Sequence, residues 1–362
     1  MLTWIEINKN NILHNIRQFK NLAPNSEFWP VVKSNAYGHG SQEIVSFLAD
    51  NKDVAGFMVA NLNEALELQN LTNKPIIVLS YFDKEDSQSL AKVNSQISLP
   101  IYDLATANYL QSLNKEFLVN IKIDTGTSRL GFSITEAKEA ITKIEEKNNL
   151  KIFSIFTHYA ESESEDQTFT KKQLQVFQDI TKNYTKYKLH SACSAASITL
   201  AEAQADIIRI GIAFYGLWPS EAIKKRNKLD LLPLMTWKTK IIQIKELKKG
   251  DTIGYNRRYK CQKNCKVAVL PIGYNEGYDR LLSNRGEVLI AGQRCPVRGN
   301  ICMNLTMIEL PAGLSVKVGE SVTLIGIDGQ QNISVEELAE KCQTINYEII
   351  TRINPNLIRK IV

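Results

Sequence analysis

Cysteine, histidine and long apolar runs are all scarce in this sequence. Its 362 residues include 6 Cys and 4 His, which is too few for the disulfide framework of a small secreted domain. Cys261 and Cys265 are close enough in sequence to ligate one metal ion, but no nearby Cys or His completes a four-ligand zinc site, so we expect no metal. No uncharged apolar stretch approaches the roughly 18 to 20 residues that a membrane span needs.

A leader segment and a strong excess of charge are also missing. The first residues show no basic stretch followed by an apolar core, so we predict no signal peptide and expect a cytoplasmic protein with no membrane partner. The 44 Lys and Arg residues exceed the 38 Asp and Glu residues by only 6, and they form no basic stripe that would favour nucleic acid. With 44% hydrophobic and 23% charged residues, the composition excludes a disordered or fibrous chain.

The first two thirds of the chain alternate short apolar runs with amphipathic stretches. The length alone suggests about two domains, or one large barrel with an appendage. Helix-like stretches cover 61–71, 133–146 and 171–181, the second opening on a capping signature, Ser133 and Glu136. Eight runs are predicted to be strands: 28–33, 54–59, 76–79, 97–101, 118–123, 152–156, 189–191 and 207–210. Eight strands alternating with helices favour a (β/α)8 TIM-type barrel, an α/β fold, although a doubly wound sheet can carry the same alternation.

The pattern changes after Pro233, where short strand-like runs are separated by Gly and Pro. These runs are 238–246, 266–270, 286–290, 306–310 and 321–325, and one helical pattern follows at 335–341. They predict a smaller, mostly-β C-terminal domain. We therefore expect a barrel over residues 8–231 and a mostly-β domain over residues 232–362, which residues 1–7 join.

Polar residues stand at the ends of the first and last predicted strands, where barrels carry their working groups. Lys33 follows the first strand in the stretch V-V-K-S-N-A-Y-G-H-G. A lysine there suits Schiff-base chemistry because burial readily lowers its pKa, although a lone lysine can simply mark the point where a strand reaches solvent. Ser194 and the Gly211-Ile212 turn offer hydroxyl and backbone donors where barrels commonly hold a phosphate. A lysine and a phosphate cradle together suggest pyridoxal 5'-phosphate (PLP).

Five motifs carry a resemblance to a known family. They are the stretch around Lys33, R-I-G-I-A-F-Y-G from Arg209, G-Y-N-R-R-Y from Gly254, P-I-G-Y-N-E-G-Y-D-R from Pro271, and G-N-I-C-M-N from Gly299. Together they resemble the alanine racemases essentially end to end, and these are PLP enzymes built from a barrel and a β domain. The resemblance implies a homodimer that interconverts L- and D-alanine through a PLP aldimine, supplying D-alanine for the peptidoglycan of the cell wall.

The resemblance also assigns roles to residues of this chain. It implies that Lys33 carries the cofactor and that Tyr255, supplied by the other subunit, is the second acid–base group of a two-base mechanism. Arg209 is expected to face the pyridine nitrogen, with His158 hydrogen-bonded to it. Because arginine keeps its proton, the pyridine nitrogen would stay unprotonated. The residues matching the phosphate-binding set are Tyr37, Ser194, Gly211, Ile212 and Tyr347.

Further roles concern the substrate and the surroundings of the site. Arg129 matches the residue that contacts the cofactor ring hydroxyl and the substrate carboxylate. Met303 is expected to offer its backbone N–H to the substrate carboxylate of the partner subunit. Tyr274 matches a residue of the entrance, and Arg280 matches one that orients Tyr255. Lys122 matches a position that is carbamylated in some members and then braces the neighbouring arginine.

Two departures from the family pattern keep alternative functions open. Cys193 stands where many members have Asn, and Asn304 stands where an Asp is usual. A PLP racemase of broader specificity, acting on Ser, Lys or other amino acids, therefore remains an alternative. A PLP decarboxylase is disfavoured because such enzymes place a carboxylate at the pyridine nitrogen, where this chain has Arg209. A non-catalytic PLP carrier is disfavoured because such proteins lack the β domain.

Overall fold

The computed structural model describes residues 1–362, and their contacts divide the chain into two compact units. The barrel unit comprises residues 10–36 and 44–233, and the β unit comprises residues 1–9, 37–43 and 234–362. The sequence analysis placed all of residues 8–231 in one domain, whereas the segment 37–43 packs within the β unit. The reason is local: a Cβ on Gly38 would overlap the Ile350 carbonyl oxygen, and Arg359 Nε donates to the Gly38 carbonyl at 3.0 Å.

Eight parallel strands in chain order form the barrel unit. They are Glu27–Pro30, Phe57–Asn61, Ile76–Tyr81, Ile97–Ile101, Phe117–Lys122, Leu150–Phe156, Lys188–His190 and Ile207–Ile210. The first strand pairs with the last, with Phe28 opposite Ile208, and a bridge from Val31, just after the first strand, to Met58 reaches the second strand. The predicted (β/α)8 barrel is thus confirmed, although its first strand ends at Pro30, three residues before Lys33.

Helices alternate with these strands, and their starts follow ordinary capping chemistry. Asn61 and Asp103 each accept a backbone N–H three residues on, which satisfies a donor that the first helical turn leaves unpaired. The predicted capping signature forms: Ser133 N–H donates to Glu136 Oε2 at 3.2 Å, one turn before the helix begins at Ala137. The helices up to residue 233 are Lys9–Leu22, Ser41–Leu48, Leu62–Leu68, Ser87–Lys92, Leu104–Ser112, Ala137–Glu145, Thr168–Thr181, Ser194–Thr199 and Glu221–Arg226.

The largest sheet of the β unit joins both ends of the chain. Its strand order is Gln293–Pro296, Glu287–Ile290, Ser321–Asp328, Met235–Lys240, Thr3–Ile7 and Ile358–Ile361, with Gln331–Ile333 pairing with Ser321–Asp328. Thr3–Ile7 runs antiparallel to Met235–Lys240 and parallel to Ile358–Ile361. The N-terminal strand is therefore an integral part of the β unit, although it precedes the barrel in sequence.

A three-stranded sheet and a short hairpin complete the β unit. The sheet contains Gln243–Leu247, Cys265–Leu270 and Thr306–Leu310, the hairpin pairs Thr252–Ile253 with Tyr259–Lys260, and the helices are Val335–Cys342 and Asn346–Thr351. The prediction of one strand over 238–246 is wrong. Ile241 N–H donates to Glu320 and Ile242 N–H donates to Val269, so consecutive residues bond to different sheets and the strand breaks. No helix has the length and apolar character to cross a bilayer.

The turn at Gly216 depends on the absence of a side chain. Gly216 has φ +78°, and a Cβ there would overlap the Leu232 carbonyl group, whereas Gly313 has φ +84° and a Cβ there would meet nothing within 4 Å. We expect Gly313→Ala to lower the free energy of unfolding by about 1 to 2 kcal/mol, from the left-handed backbone alone. Gly216→Ala should lower the free energy of unfolding by about 1 to 3 kcal/mol more than Gly313→Ala does, because its Cβ would overlap the Leu232 carbonyl group. Urea unfolding of both variants measures the difference, and equal losses would contradict the close approach.

Candidate active site

Arg209 is a buried cation with no carboxylate partner. It lies on the last barrel strand and is 4% exposed. Its Nη1 donates to His190 Nδ1 at 2.9 Å, and its Nη2 donates to the carbonyls of Thr157 at 2.9 Å and Ser191 at 2.7 Å. Nη2 also lies 3.4 Å from His158 Nδ1. Neutral acceptors from the strand ends therefore hold both terminal nitrogens of the guanidinium group.

The charge of Arg209 survives this burial. Desolvation lowers the pKa of its guanidinium to about 10, which still leaves it protonated at neutral pH. The Nε–H group makes no hydrogen bond within the protein. An aromatic nitrogen of a bound ligand would accept a hydrogen bond from this donor. The site thus fits the pyridine nitrogen that the sequence predicts to lie beside Arg209.

Two histidines flank Arg209, and the sequence analysis singled out only one of them. His158 was the predicted partner, but His190 makes the shorter hydrogen bond. Since arginine only donates, both Nδ1 atoms must accept, and each neutral ring then carries its proton on Nε2. Burial and the Arg209 charge hold the pKa of both imidazoles well below the usual range. The missed signal was position: His190 ends the strand next to the one that carries Arg209.

Ser194 and the Gly211-Ile212 turn, which the sequence predicts to bind a phosphate, lie next to each other at the last two strand ends. The Gly211 N–H donates to Ser194 Oγ at 2.9 Å, and the Ala213 N–H lies 3.4 Å from the same oxygen. Gly211 is therefore committed within the protein. The Ser194 hydroxyl proton and the Ile212 N–H remain as donors for an anion. Two donors at adjacent strand ends suit a phosphate oxygen.

A left-handed segment of the backbone follows Lys33 immediately. Ser34, Asn35, Ala36 and Tyr37 have φ angles of 53°, 53°, 51° and 52°. This conformation costs L-residues roughly 1 to 2 kcal/mol each, and such strain is concentrated at functional sites. Ala36 N–H donates to the Val32 carbonyl at 2.9 Å, and Ser34 N–H donates to Glu64 Oε1 at 2.8 Å. These bonds fix the backbone immediately after Lys33.

The barrel gathers basic groups near Lys33. Burial and the charge of Arg129 lower the pKa of the Lys33 amine, and the same two causes lower the pKa of Lys122 to about 8. Arg129 follows a loop that wraps around Asp124. Burial alone would raise the pKa of that carboxyl, but the N–H groups of Gly126, Arg129 and their neighbours hold it below its usual range. A basic cluster of this kind attracts anionic ligands.

The β unit carries the remaining predicted residues. The rings of Tyr37 and Tyr347 lie 6.2 Å apart between centroids, so both members of the predicted phosphate set that belong to this unit are neighbours. Tyr255 lies at the tip of the short hairpin and is 72% exposed. Its turn is held by left-handed residues at Asn256 and Arg257, which aims the ring outward. Arg280 makes no hydrogen bond to Tyr255 within one protomer.

Met303 lies on a loop in which its backbone carbonyl is hydrogen-bonded and its backbone N–H is not. Its carbonyl accepts from the Asn275 N–H at 2.9 Å, while its own N–H makes no hydrogen bond. Asn304 Nδ2 donates to Glu276 Oε1 at 2.7 Å. An Asp at position 304 would place a second carboxylate against Glu276, so the amide replaces a repulsion by a hydrogen bond. The departure at Asn304 is therefore matched to its neighbour. The other departure, Cys193, places its sulfur 3.2 Å from Ser162 Oγ.

Comparisons with known proteins agree over both units. Residues 7–219 match the family model "Alanine racemase, N-terminal domain", and residues 234–361 match "Alanine racemase, C-terminal domain". An alanine racemase of Methanococcus maripaludis is 38% identical over 98% of this chain and 97% of its own length. One from Carboxydothermus hydrogenoformans is 36% identical over 97% of each.

Solved structures give the same result. An alanine racemase of Clostridium difficile superposes with a TM-score of 0.93 at 30% identity, covering 100% of this chain and 96% of that one. A histidine racemase from Leuconostoc mesenteroides superposes with a TM-score of 0.89 at 29% identity, covering 99% and 98%. The fold is thus shared by racemases of more than one amino acid.

The neutral histidines predict how stability depends on pH. Below about pH 6.5 the unfolded chain binds a proton on each imidazole that the folded barrel does not accept, so the free energy of unfolding falls as pH falls. His190→Gln keeps an acceptor for Arg209 and removes one such group. Between about pH 7 and pH 5.5, we expect the free energy of unfolding to fall by about 1 kcal/mol less in the variant than in the wild type. Urea unfolding at both pH values measures this, and an identical pH dependence would refute a neutral His190.

Proposed function

The chain belongs to the alanine racemase family, and from that premise we propose that Lys33 and Tyr255 are the two acid–base groups with which it interconverts L- and D-alanine. The observation that carries the proposal is Arg209, a buried guanidinium held by neutral acceptors with its Nε–H unpaired. Because arginine does not release its proton, it would hold the pyridine nitrogen unprotonated. A decarboxylase, which needs a carboxylate at that position, finds none here.

Residues of the chain would bind PLP at both of its ends. Ser194 and Ile212 would donate to the phosphate, while Arg209 meets the pyridine nitrogen. The hydroxyl groups of Tyr37 and Tyr347 match further phosphate donors of the family. PLP would supply an electron-withdrawing system that makes the Cα proton of an attached amino acid acidic. The protein contributes position, charge and two proton carriers.

Racemisation needs a proton removed from one face of Cα and another delivered to the opposite face. Lys33 is suited to the first task because burial and Arg129 lower the pKa of its amine, which favours the neutral base. The partner subunit's Tyr255 would serve the opposite face. His158 supports this arrangement. Once its Nδ1 accepts from Arg209, its Nε2–H is left to donate to the phenolic oxygen of the partner subunit's Tyr255.

The substrate carboxylate would be held by one charged and one neutral donor. Arg129 is exposed and its guanidinium makes no hydrogen bond or ion pair within the protein, so it is free to pair with a carboxylate. The partner subunit's Met303 would add its unpaired backbone N–H. In this scheme Tyr274 lines the entrance, and Arg280 orients Tyr255 only once the dimer has formed.

A homodimer explains why the β unit exposes large side chains. Tyr255, Tyr274, Met303 and Leu305 are 72%, 45%, 56% and 40% exposed in one protomer. Large apolar side chains clustered at a surface commonly mark an interface. We propose that this surface completes the partner's active site. We further propose a cytoplasmic role, supplying D-alanine for cell-wall peptidoglycan, which agrees with six cysteines that are all free thiols.

Broader specificity is the second candidate, favoured by Asn304 and by the similarity to a histidine racemase. A panel of L-amino acids incubated with the PLP-loaded enzyme, with D-product resolved by chiral chromatography, separates the two. We expect alanine to be converted most efficiently. Equal or faster conversion of a larger amino acid would overturn the assignment to alanine. Release of CO2 without D-product would indicate a decarboxylase.

Mixing two inactive variants tests both bases and the shared site. Lys33→Ala and Tyr255→Phe should each abolish or strongly reduce racemisation, and only Lys33→Ala should also lose the visible absorbance of the bound cofactor. A hybrid dimer would hold one intact site, with Lys33 from one chain and Tyr255 from the other. Random reassortment should therefore restore about a quarter of wild-type activity. Two inactive variants that stay inactive after exchange would show that the sites are not shared.

Lys122 is the residue that we propose to carry a carbamate. Its pKa of about 8 leaves a neutral amine at moderate pH, and that amine can attack CO2 to form R–NH–COO⁻ with release of one proton. The resulting anion would pair with Arg129. We expect a carbamate carbon signal with 13C-labelled bicarbonate, rising through about pH 8, where an ordinary lysine would need about pH 10. Lys122→Ala is the control, and a signal that persists in that variant would refute the assignment.

A further inference from the structure

Four polar side chains form an unbroken line across the last four barrel strands. Ser154 Oγ lies 2.8 Å from Asn120 Oδ1 and 2.9 Å from His190 Nε2. His190 Nδ1 lies 2.9 Å from Arg209 Nη1. Asn120, Ser154 and His190 are 0% exposed, so no water competes for these bonds.

The direction of every bond in this line follows from its charged end. Arg209 only donates, so His190 Nδ1 must accept and the imidazole proton must sit on Nε2. His190 Nε2–H then donates to Ser154 Oγ. The single Ser154 proton is left to donate to the Asn120 carbonyl oxygen. Asn120 Oδ1 therefore ends the line as a pure acceptor.

Asn120, at the far end of the line, carries an energetic cost. The Asn120 amide nitrogen is buried and makes no hydrogen bond. An apolar side chain would fill the barrel interior without leaving such a donor unpaired. Packing therefore does not account for an amide at this position, whereas a fixed acceptor for Ser154 does.

The His190 ring has little freedom to respond by tilting. It stacks on Phe156 with 4.8 Å between ring centroids and 3° between planes. The remaining ways to change its hydrogen bonds are to move the proton to Nδ1 or to take up a second proton. Either change would direct an N–H group at the Arg209 N–H group, which is repulsive.

We propose that Ser154 and Asn120 are positioning residues for Arg209. They hold the His190 proton on Nε2, so that Nδ1 always accepts from Arg209 and the guanidinium keeps its unpaired Nε–H in one orientation. The link to the pyridine nitrogen rests on the proposed function, but the proton position does not. Neither residue touches the cofactor, and both act through His190.

Ser154→Ala is the direct test, and the barrel offers a matched control. Ser98 is also a buried serine on a barrel strand, but its hydroxyl makes no hydrogen bond. Ser98→Ala therefore removes the same atom without disturbing the line. Ser154→Cys keeps a side chain of similar size with a weaker acceptor and should give an intermediate result.

The first measurement is made on the cofactor-free protein. With only 4 histidines in the chain, 15N-histidine NMR resolves the protonation state of each ring. We expect His190 to be neutral with its proton on Nε2 in the wild type and in Ser98→Ala. In Ser154→Ala the Nε2–H population should fall and the Nδ1–H or doubly protonated form should appear. An unchanged His190 in Ser154→Ala would overturn the proposal.

The second measurement uses the PLP-loaded enzyme. If Arg209 is less firmly held, the pyridine nitrogen is less well controlled, and half-transamination should rise by about tenfold relative to racemisation in Ser154→Ala but not in Ser98→Ala. An equal ratio in both variants would refute the link to Arg209, whatever the NMR shows. A wild type that racemises nothing but shows the expected His190 proton would refute the proposed function and still support the proton position.

Discussion

The arrangement of the active site follows from one constraint, namely that a buried arginine can only donate. Arg209 sits in the barrel with no carboxylate to compensate it, so the surrounding strands must supply neutral acceptors. That requirement turns the carbonyls of Thr157 and Ser191 inward and fixes both flanking histidines as neutral rings. The chemistry proposed at the pyridine nitrogen would thus depend on a hydrogen-bonding pattern that extends three strands away from Arg209.

Much of the barrel was predictable because its strands are short apolar runs with regular spacing, and confirmed strands such as Ile97–Ile101 and Ile207–Ile210 match the predicted bounds. The end of the first strand was not predictable. Val31 and Val32 continue an apolar run, yet the strand stops at Pro30 because the backbone is about to enter a left-handed segment that no residue propensity favours. Single-sequence patterns register side-chain type, whereas this boundary depends on bonds to Val32 and Glu64.

Candidate site residues were proposed where a motif carried them, and His190 was overlooked because only three-dimensional proximity connects it to Arg209. Lys33, Arg209 and Tyr255 lie in recognisable stretches, and their roles remain proposals that the geometry supports. His190 has no motif of its own and becomes evident only when neighbouring strands are aligned. The sequence alone shows that Asn304 lacks the carboxylate usual in the family, whereas the structure shows that its amide donates a hydrogen bond to Glu276. A substitution in one loop is interpretable only with the residue it faces, and that residue lies 28 positions away.

The left-handed segment after Lys33 has a further consequence for chirality. In mirror image, the φ and ψ angles of Ser34, Asn35 and Ala36 are those of an ordinary right-handed helix. D-residues would therefore adopt them without strain, and a protein synthesised with D-alanine at position 36 would relax there while every other residue kept its natural hand. The steric preference that penalises L-residues in this segment is the same one that makes ordinary helices right-handed. An enzyme of the alanine racemase family thus holds Lys33, the lysine proposed to carry its cofactor, beside a stretch of backbone shaped for D-amino acids.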